Sequence, residues 1–196
     1  IDGDYMKKKF KISDIFIGFC FVFFLLMFGF SLAHIIKWNI DARKTNKEID
    51  DLVSVTKVEK IKDNANTEII PQDNISRSNP YWDYISYDLI NVDFNELIQK
   101  NASTVAWINV NGTNINYPVL QASDNVFYLT HSFDNSYNEA GWVFMDYRNT
   151  LSEDKNTIIY AHARLDKTMF GSLKSVINEN WLNDTSNYVV NLSTIA

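Results

Sequence analysis

Cysteine is almost absent from this sequence. Cys20 is the only one among 196 residues, which excludes an internal disulfide framework. Basic residues are not in excess either. Lys and Arg total 18 against 24 Asp and Glu, for a formal net charge of −6. A nucleic-acid binder would show a basic face, so no nucleic-acid partner is expected. His131, His162 and Asp146 match no zinc-ligand spacing, so neither a metal nor a cofactor is expected. No Gly-x-Ser-x-Gly elbow occurs. Ser172 is the nearest serine to His162 and has no visible activating partner, which leaves a hydrolase built on His162 without a supporting motif. No internal repeat is visible.

Apolar residues make up 46% of the chain and aromatic residues 14%, enough for a real core. The longest apolar run is Ile15 to Ile36, without a formal charge. As a helix it would extend roughly 33 Å, close to the hydrocarbon thickness of a bilayer. It is longer than the apolar core of a secretory signal and lacks an Ala-x-Ala ending. The expectation is an uncleaved membrane anchor over 15–36, with a cleaved signal or a buried core helix as alternatives. Lys7, Lys8, Lys9 and Lys11 precede the run, and Lys37, Arg43, Lys44 and Lys47 follow it. The counts tie, but the first cluster is denser and only a short tail lies before it. That favours a cytoplasmic N-terminus and an extracellular C-terminal part. Met6-Lys7-Lys8-Lys9 reads as a natural start, which makes residues 1–5 a remnant.

The expected organisation is a cytoplasmic tail over 1–14, the anchor over 15–36, a helical stalk and linker over 37–80, and a folded domain over 81–196. Ile49, Leu52, Val53, Val55 and Val58 recur loosely at helical spacing in the stalk. Pro71 and Pro80 mark the linker. Asp93 and Glu96 read as a capping box opening a short helix, with Phe94, Leu97 and Ile98 turned inward. Two strand-like runs flank Asn111-Gly112, a pair that favours the type I′ hairpin turn. Pro118 ends that ladder or lies at an edge. "SDNVFYLTHSF" reads as a short helix or turn, "GWVFMDYRN" and "NTIIYAHA" as strands, "TMFGSLKSVI" as a helical turn and "NYVVNLSTIA" as a last strand. The fold class is therefore mainly β with helical additions, a barrel or curled sheet.

Specific motifs sharpen this reading. Trp107-Ile108, Tyr117-Pro118-Val119, Gly141 with Phe144-Met145-Asp146, and Tyr160 to His162 with Met169-Phe170-Gly171 together resemble class B sortases, spread over Phe94 to Leu173. These are membrane-anchored cysteine transpeptidases of Gram-positive bacteria. The resemblance implies the first part of a closed eight-stranded β-barrel and an active site of His, Cys and Arg. It also implies cleavage of a C-terminal Asn-Pro-x-Thr-type sorting signal in a secreted protein. A thioacyl-enzyme would form, and a peptidoglycan amine would resolve it, joining the protein to the cell wall.

His162 falls on the family's histidine, in the context Tyr-Ala-His-Ala where Tyr-Gly-His-Asn is usual. A thiolate is the attacking form of cysteine, and an imidazole beside it can protonate the leaving amine. By the same resemblance, Asn125 and Leu129, four apart, line the groove for the sorting signal. Without the family context, His162 would read as a core histidine donating to a backbone carbonyl, and 125–129 as a packed turn.

The departure lies downstream. No cysteine follows His162, and Arg164 has no counterpart in the family's arginine. "NLSTIA" echoes the segment that carries the nucleophile but comes too soon and has Ile195 in the thiol position. The expectation is a chain that stops partway through the domain, before Cys and Arg, and is inactive as given. The alternative is a non-catalytic, membrane-anchored peptide-binding module. Arg164 and Lys167 are expected on a solvated rim, His131 on a loop, and Tyr128 in the core.

Overall fold

The computed structural model describes residues 12–61, 89–151 and 153–195. The tail before Ile12, the linker with Pro71 and Pro80, and the domain start at Tyr81 lie outside the described residues. The chain divides into two compact units, 1–40 and 41–196.

The first unit is helical. It holds the N-terminal part of α1 (Ile12–Val55), including the whole apolar run. The large side chains of that run, Phe16 and Phe24 among them, are exposed. The helix is long and apolar enough to cross a membrane.

The second unit begins with the last turns of α1. After them come β1 (Val58–Ile61), β2 (Leu89–Val92), α2 (Asn95–Lys100), β3 (Thr104–Val110) and β4 (Asn116–Leu120). A single 3-10 turn (Phe127–Leu129), β5 (Phe144–Met145) and β6 (Ile159–Tyr160) follow. A second 3-10 segment (Gly171–Ile177), α3 (Glu179–Leu182), a third 3-10 turn (Thr185–Asn187) and β7 (Val190–Thr194) complete it. β1 and β2 pair antiparallel as a separate ribbon. The other five strands form one sheet in the order β6-β5-β4-β3-β7. All its pairings are antiparallel except β4 with β5.

The core lies against this sheet. Alternation along β3 and β4 is imperfect because both strands are central and bury residues on both faces. Trp107, Ile115, Val119, Leu120, Trp142, Phe144 and Met145 are all buried. Leu97 is the one fully buried residue of α2, while Ile98 is exposed, so the inward set of that helix is narrower than its apolar content suggests. The expected capping box does not form: Phe94 is the N-cap, and Asp93, one residue earlier, accepts from the Asn95 amide at 3.0 Å while its own N–H goes to the Lys57 carbonyl.

The β3–β4 connection differs from the expected two-residue turn. It runs over 111–115, with Val110 N–H donating to the Ile115 carbonyl at 3.0 Å. A type I′ turn needs positive φ at both central residues. Gly112 has φ +66, but Asn111 is not among the positive-φ residues. Asn111 is instead held toward β7, its amide N–H on the Val189 carbonyl and its side chain on the Ser186 carbonyl. Pro118 sits inside β4 opposite Trp107. β5 joins β4 only at Leu120, so among the described residues no strand ladder on the outer side of β4 needs an N–H at Pro118.

The residues read as stalk belong partly to this folded unit. Ala42, Thr45 and Leu52 are buried, and Ile49 and Val53 pack against the core. The Asn138 side chain donates to the Thr45 hydroxyl at 2.9 Å and to the Ser132 hydroxyl at 3.0 Å. Glu48 accepts from the Asp134 amide at 3.0 Å. Its second oxygen is enclosed without a hydrogen bond among the described residues.

Burial pushes the Glu48 carboxyl above its ordinary value, and the nearby Asp134 carboxylate adds to this. An acid whose folded-state pKa is raised contributes stability that is complete below the unfolded value. That contribution is lost as pH rises through the folded value. Glu48→Gln is therefore expected to remove a decline in melting temperature as pH rises from the ordinary glutamate range toward neutrality. Thermal melts of wild type and variant across that window, compared as a difference, check it. A difference that does not change with pH contradicts it.

Candidate active site

β6 ends at Tyr160 and the chain delivers His162 two residues later. The strand is placed by its antiparallel pairing with β5, Phe144 opposite Tyr160 and Met145 opposite Ile159. Asp146 N–H extends that ladder by donating to the Ile158 carbonyl at 2.9 Å. After His162 the chain turns back on itself. Phe170 N–H donates to the His162 carbonyl at 3.0 Å, and Ala163 bridges Met169. The backbone on both sides of the imidazole is thus fixed.

The ring is half-buried. Its Nε2 lies 2.7 Å from the Leu129 carbonyl oxygen. A carbonyl only accepts, so Nε2 carries the proton in that contact. The neutral tautomer then leaves a lone pair on Nδ1, which has no hydrogen bond among the described residues. This is the backbone contact that a purely structural histidine would make. It is also an orienting bond that leaves one nitrogen open for proton transfer.

Leu129 closes the 3-10 turn Phe127–Leu129. The turn is held from both ends. Asp124 accepts from the Val126 and Phe127 amides at 2.8 Å each. The Tyr128 carbonyl accepts from Trp142 N–H at 2.9 Å. Tyr128 itself is buried, its ring beside those of Phe127 and Phe144. The structure therefore brings Leu129 and His162 together.

Asn125 is placed differently. It precedes the turn, and its side chain donates to Asp146 Oδ2 at 2.9 Å and accepts from the Tyr147 amide at 3.0 Å. Asp146 is legible in the sequence only as a motif residue, but its carboxylate gathers hydrogen bonds from three other residues. The Arg148 side chain donates to it at 2.9 and 2.7 Å, the Arg148 amide at 2.9 Å and the Tyr160 hydroxyl at 3.0 Å. Hydrogen bonds from Arg148, with help from Asn125 and Tyr160, hold its pKa well below the usual carboxylate range. The sequence signal that could have found it is Asp-x-Arg directly after a short apolar strand.

Arg164 does not lie on a solvated rim. Its side chain is 8% exposed, with the guanidinium 2.8 Å from Asp166 and bonded to Thr168 at 3.0 Å. Two charged groups this enclosed persist only as a pair. Lys167 is exposed at the tip of that loop, with φ +66. His131 does lie on a loop, stacked on Phe127 with ring centroids 4.0 Å apart. Cys20 belongs to the other unit, on α1. Tyr117 is buried on β4, and desolvation pushes its phenol up to about 12, so it serves as a core residue rather than an acid near neutrality.

No protein-family model matches the chain. Over roughly half its length, however, it is similar to sortase B proteins. It is 41% identical to sortase B of Listeria monocytogenes over 91 residues, covering 46% of this chain and 37% of that protein. It is 39% identical to sortase B of Staphylococcus aureus over 89 residues, covering 45% and 36%. The chain thus spans little more than a third of the length of these curated relatives. Among solved structures, sortase B from B. anthracis in complex with AAEK1 superposes with a TM-score of 0.57 at 28% identity, covering 80% of this chain and 63% of that one. The five-stranded sheet is accordingly part of a sortase-like curled barrel.

Proposed function

We propose that this chain carries the histidine-bearing part of a cysteine transpeptidase that cuts a C-terminal Asn-Pro-x-Thr-type sorting signal. His162 is the proton carrier. The open Nδ1 takes the proton of a cysteine thiol, the thiolate attacks the threonine's carbonyl carbon, and the tetrahedral adduct collapses to a thioacyl intermediate. The leaving amine takes the proton from His162. A peptidoglycan amine then attacks the thioester, releases the thiolate and returns a proton to the imidazole. Leu129 fixes the ring through its carbonyl, and Asn125 with Leu129 borders the groove for the peptide. The run 15–36 anchors the protein, with the N-terminus cytoplasmic and the sheet domain outside. The observation that carries this reading is the His162 contact, one nitrogen held at 2.7 Å and the other open, within a sortase B-like fold.

The competing reading is a peptide-binding module without chemistry. One experiment separates the two. The chain in detergent is expected not to cleave a fluorogenic Asn-Pro-x-Thr peptide. A chimera that continues it with the C-terminal part of the Listeria sortase B is expected to cleave. His162→Ala in that chimera should lower kcat/KM by about 10²–10⁴-fold. Cleavage that persists in His162→Ala would overturn the proposed role. Binding of the peptide without cleavage by the chimera would favour the module.

A further inference from the structure

We infer that Asp146 is the positioning residue of this site, a single carboxylate that ties the strand bearing His162 to the turn bearing the Leu129 carbonyl. Four residues carry the argument. Tyr160, two residues before His162, donates its hydroxyl to Asp146 Oδ2 at 3.0 Å. Asn125, four residues before Leu129, donates its side-chain amide to the same oxygen at 2.9 Å. His162 Nε2 and the Leu129 carbonyl then meet at 2.7 Å. The result is a closed loop of contacts in which Asp146 stands opposite the imidazole.

The carboxylate suits the role. Its side chain is only 2% exposed and Arg148 holds it in a two-pronged ion pair, so its two oxygens have fixed directions. Oδ2 faces both halves of the site at once, while Oδ1 takes the Arg148 amide at 2.9 Å. A neutral amide of the same shape could not serve both neighbours and Arg148 together. An asparagine side chain would present one oxygen and one nitrogen. With the nitrogen in the place of Oδ2, a donor would meet three donors, from Asn125, Tyr160 and Arg148; with the nitrogen in the place of Oδ1, the Arg148 pair would be lost. The Tyr160 ring, 5.3 Å from that of Phe144, transmits the restraint as a rigid lever. Asp146 touches no reacting atom in this scheme and acts only through its neighbours.

The inference rests on His162 being the working imidazole, but its test does not need turnover. Full-length chain labelled with 15N-histidine is studied in detergent micelles, and the His34 and His131 signals are identified by substitution. In the wild type, the His162 Nε2–H proton is expected to be slow to exchange, with Nδ1 in the unprotonated state. Asp146→Asn is expected to lose that slow proton and to mix the two tautomers. Tyr160→Phe and Asn125→Ala, each removing one spoke, should do so in part. If Asp146→Asn does not fold, the two single-spoke variants give the answer.

Loss of the signature with an unchanged circular-dichroism melt in either single-spoke variant supports positioning. A signature intact in every folded variant overturns it, even if melting temperatures fall, because Asp146 would then be structural only. In the active chimera Asp146→Asn and Tyr160→Phe should lower kcat by up to about 100-fold with KM little changed. An inactive chimera whose parent still shows the signature, lost on substitution, would sink the transpeptidase reading and leave this inference standing.

Discussion

Gly141→Ala is expected to unfold the sheet domain or leave it severely destabilised, and in any folded fraction to detach His162 from its partner. Gly141 has φ +62, a left-handed conformation that costs an L-residue about 1–2 kcal/mol. The larger effect is steric. A Cβ at this position would stand 2.6 Å from the Tyr128 carbonyl oxygen and 2.8 Å from the Leu129 carbonyl oxygen. Both are backbone atoms and cannot rotate away. The Tyr128 carbonyl is bonded to Trp142 N–H and the Leu129 carbonyl to His162, so moving either breaks a contact on which the site depends.

Gly112→Ala provides the control. Gly112 has nearly the same φ, +66, but an added Cβ there meets the side chains of Asn187 and Trp181 rather than backbone. It should cost the conformational penalty and the displacement of those two side chains, one of which, Trp181, donates to the Gly112 carbonyl at 3.0 Å, but no backbone shift. Urea denaturation of both variants, followed by circular dichroism, checks the pair. Equal midpoints for Gly141→Ala and Gly112→Ala would show that the backbone collision is relieved as easily as the side-chain one.

Trp142→Ala should cost about 3–5 kcal/mol, in the range for deleting a buried aromatic side chain. That is a large share of the roughly 5–15 kcal/mol that stabilises an ordinary domain. Trp142 is 1% exposed. Its ring meets Tyr117 edge-on at 6.4 Å and Phe133 at 5.6 Å between centroids. Its indole N–H donates to the Pro118 carbonyl at 3.0 Å.

Two terms can be separated. Trp142→Phe keeps most of the apolar surface but leaves the Pro118 carbonyl unpaired in the core, which should cost about 1–3 kcal/mol. The remainder of the alanine effect is packing. A chemical-denaturation series of wild type, Phe and Ala reads both steps. An alanine variant within about 1 kcal/mol of wild type would mean that the cavity collapses, against the usual behaviour of interiors.

The parts of this fold that are legible in the sequence are those set by local patterning. The apolar run 15–36, the β3 and β4 strands, the 3-10 segment after Phe170 and the final strand follow from residue spacing and turn chemistry. His162 can be singled out because a titratable ring closes a short apolar strand. The rest depends on partners distant in sequence. Nothing around Asp146 announces that Asn125 and Tyr160 will converge on one oxygen. Thr45 meets Asn138 across most of the domain, so residues with loose helical spacing become part of the folded unit rather than a free stalk. Arg164 reads as a rim residue because charge usually faces water; Asp166 and Thr168 make it possible to enclose. The hairpin turn departs from its local pattern because Asn111 answers to β7, and no local rule contains that strand.

β3 is bonded on one side to β4, which follows it almost at once, and on the other to β7, Val110 meeting Val190. A ribosome delivers these neighbours in order. The β3–β4 pair can close as soon as it emerges, while the far flank of β3 stays bare until the whole intervening stretch has been translated. Contacts that span so much chain form late and slowly. During that interval the nascent polypeptide displays an open strand beside Trp107, a surface that a holdase would recognise and a second nascent copy could invade.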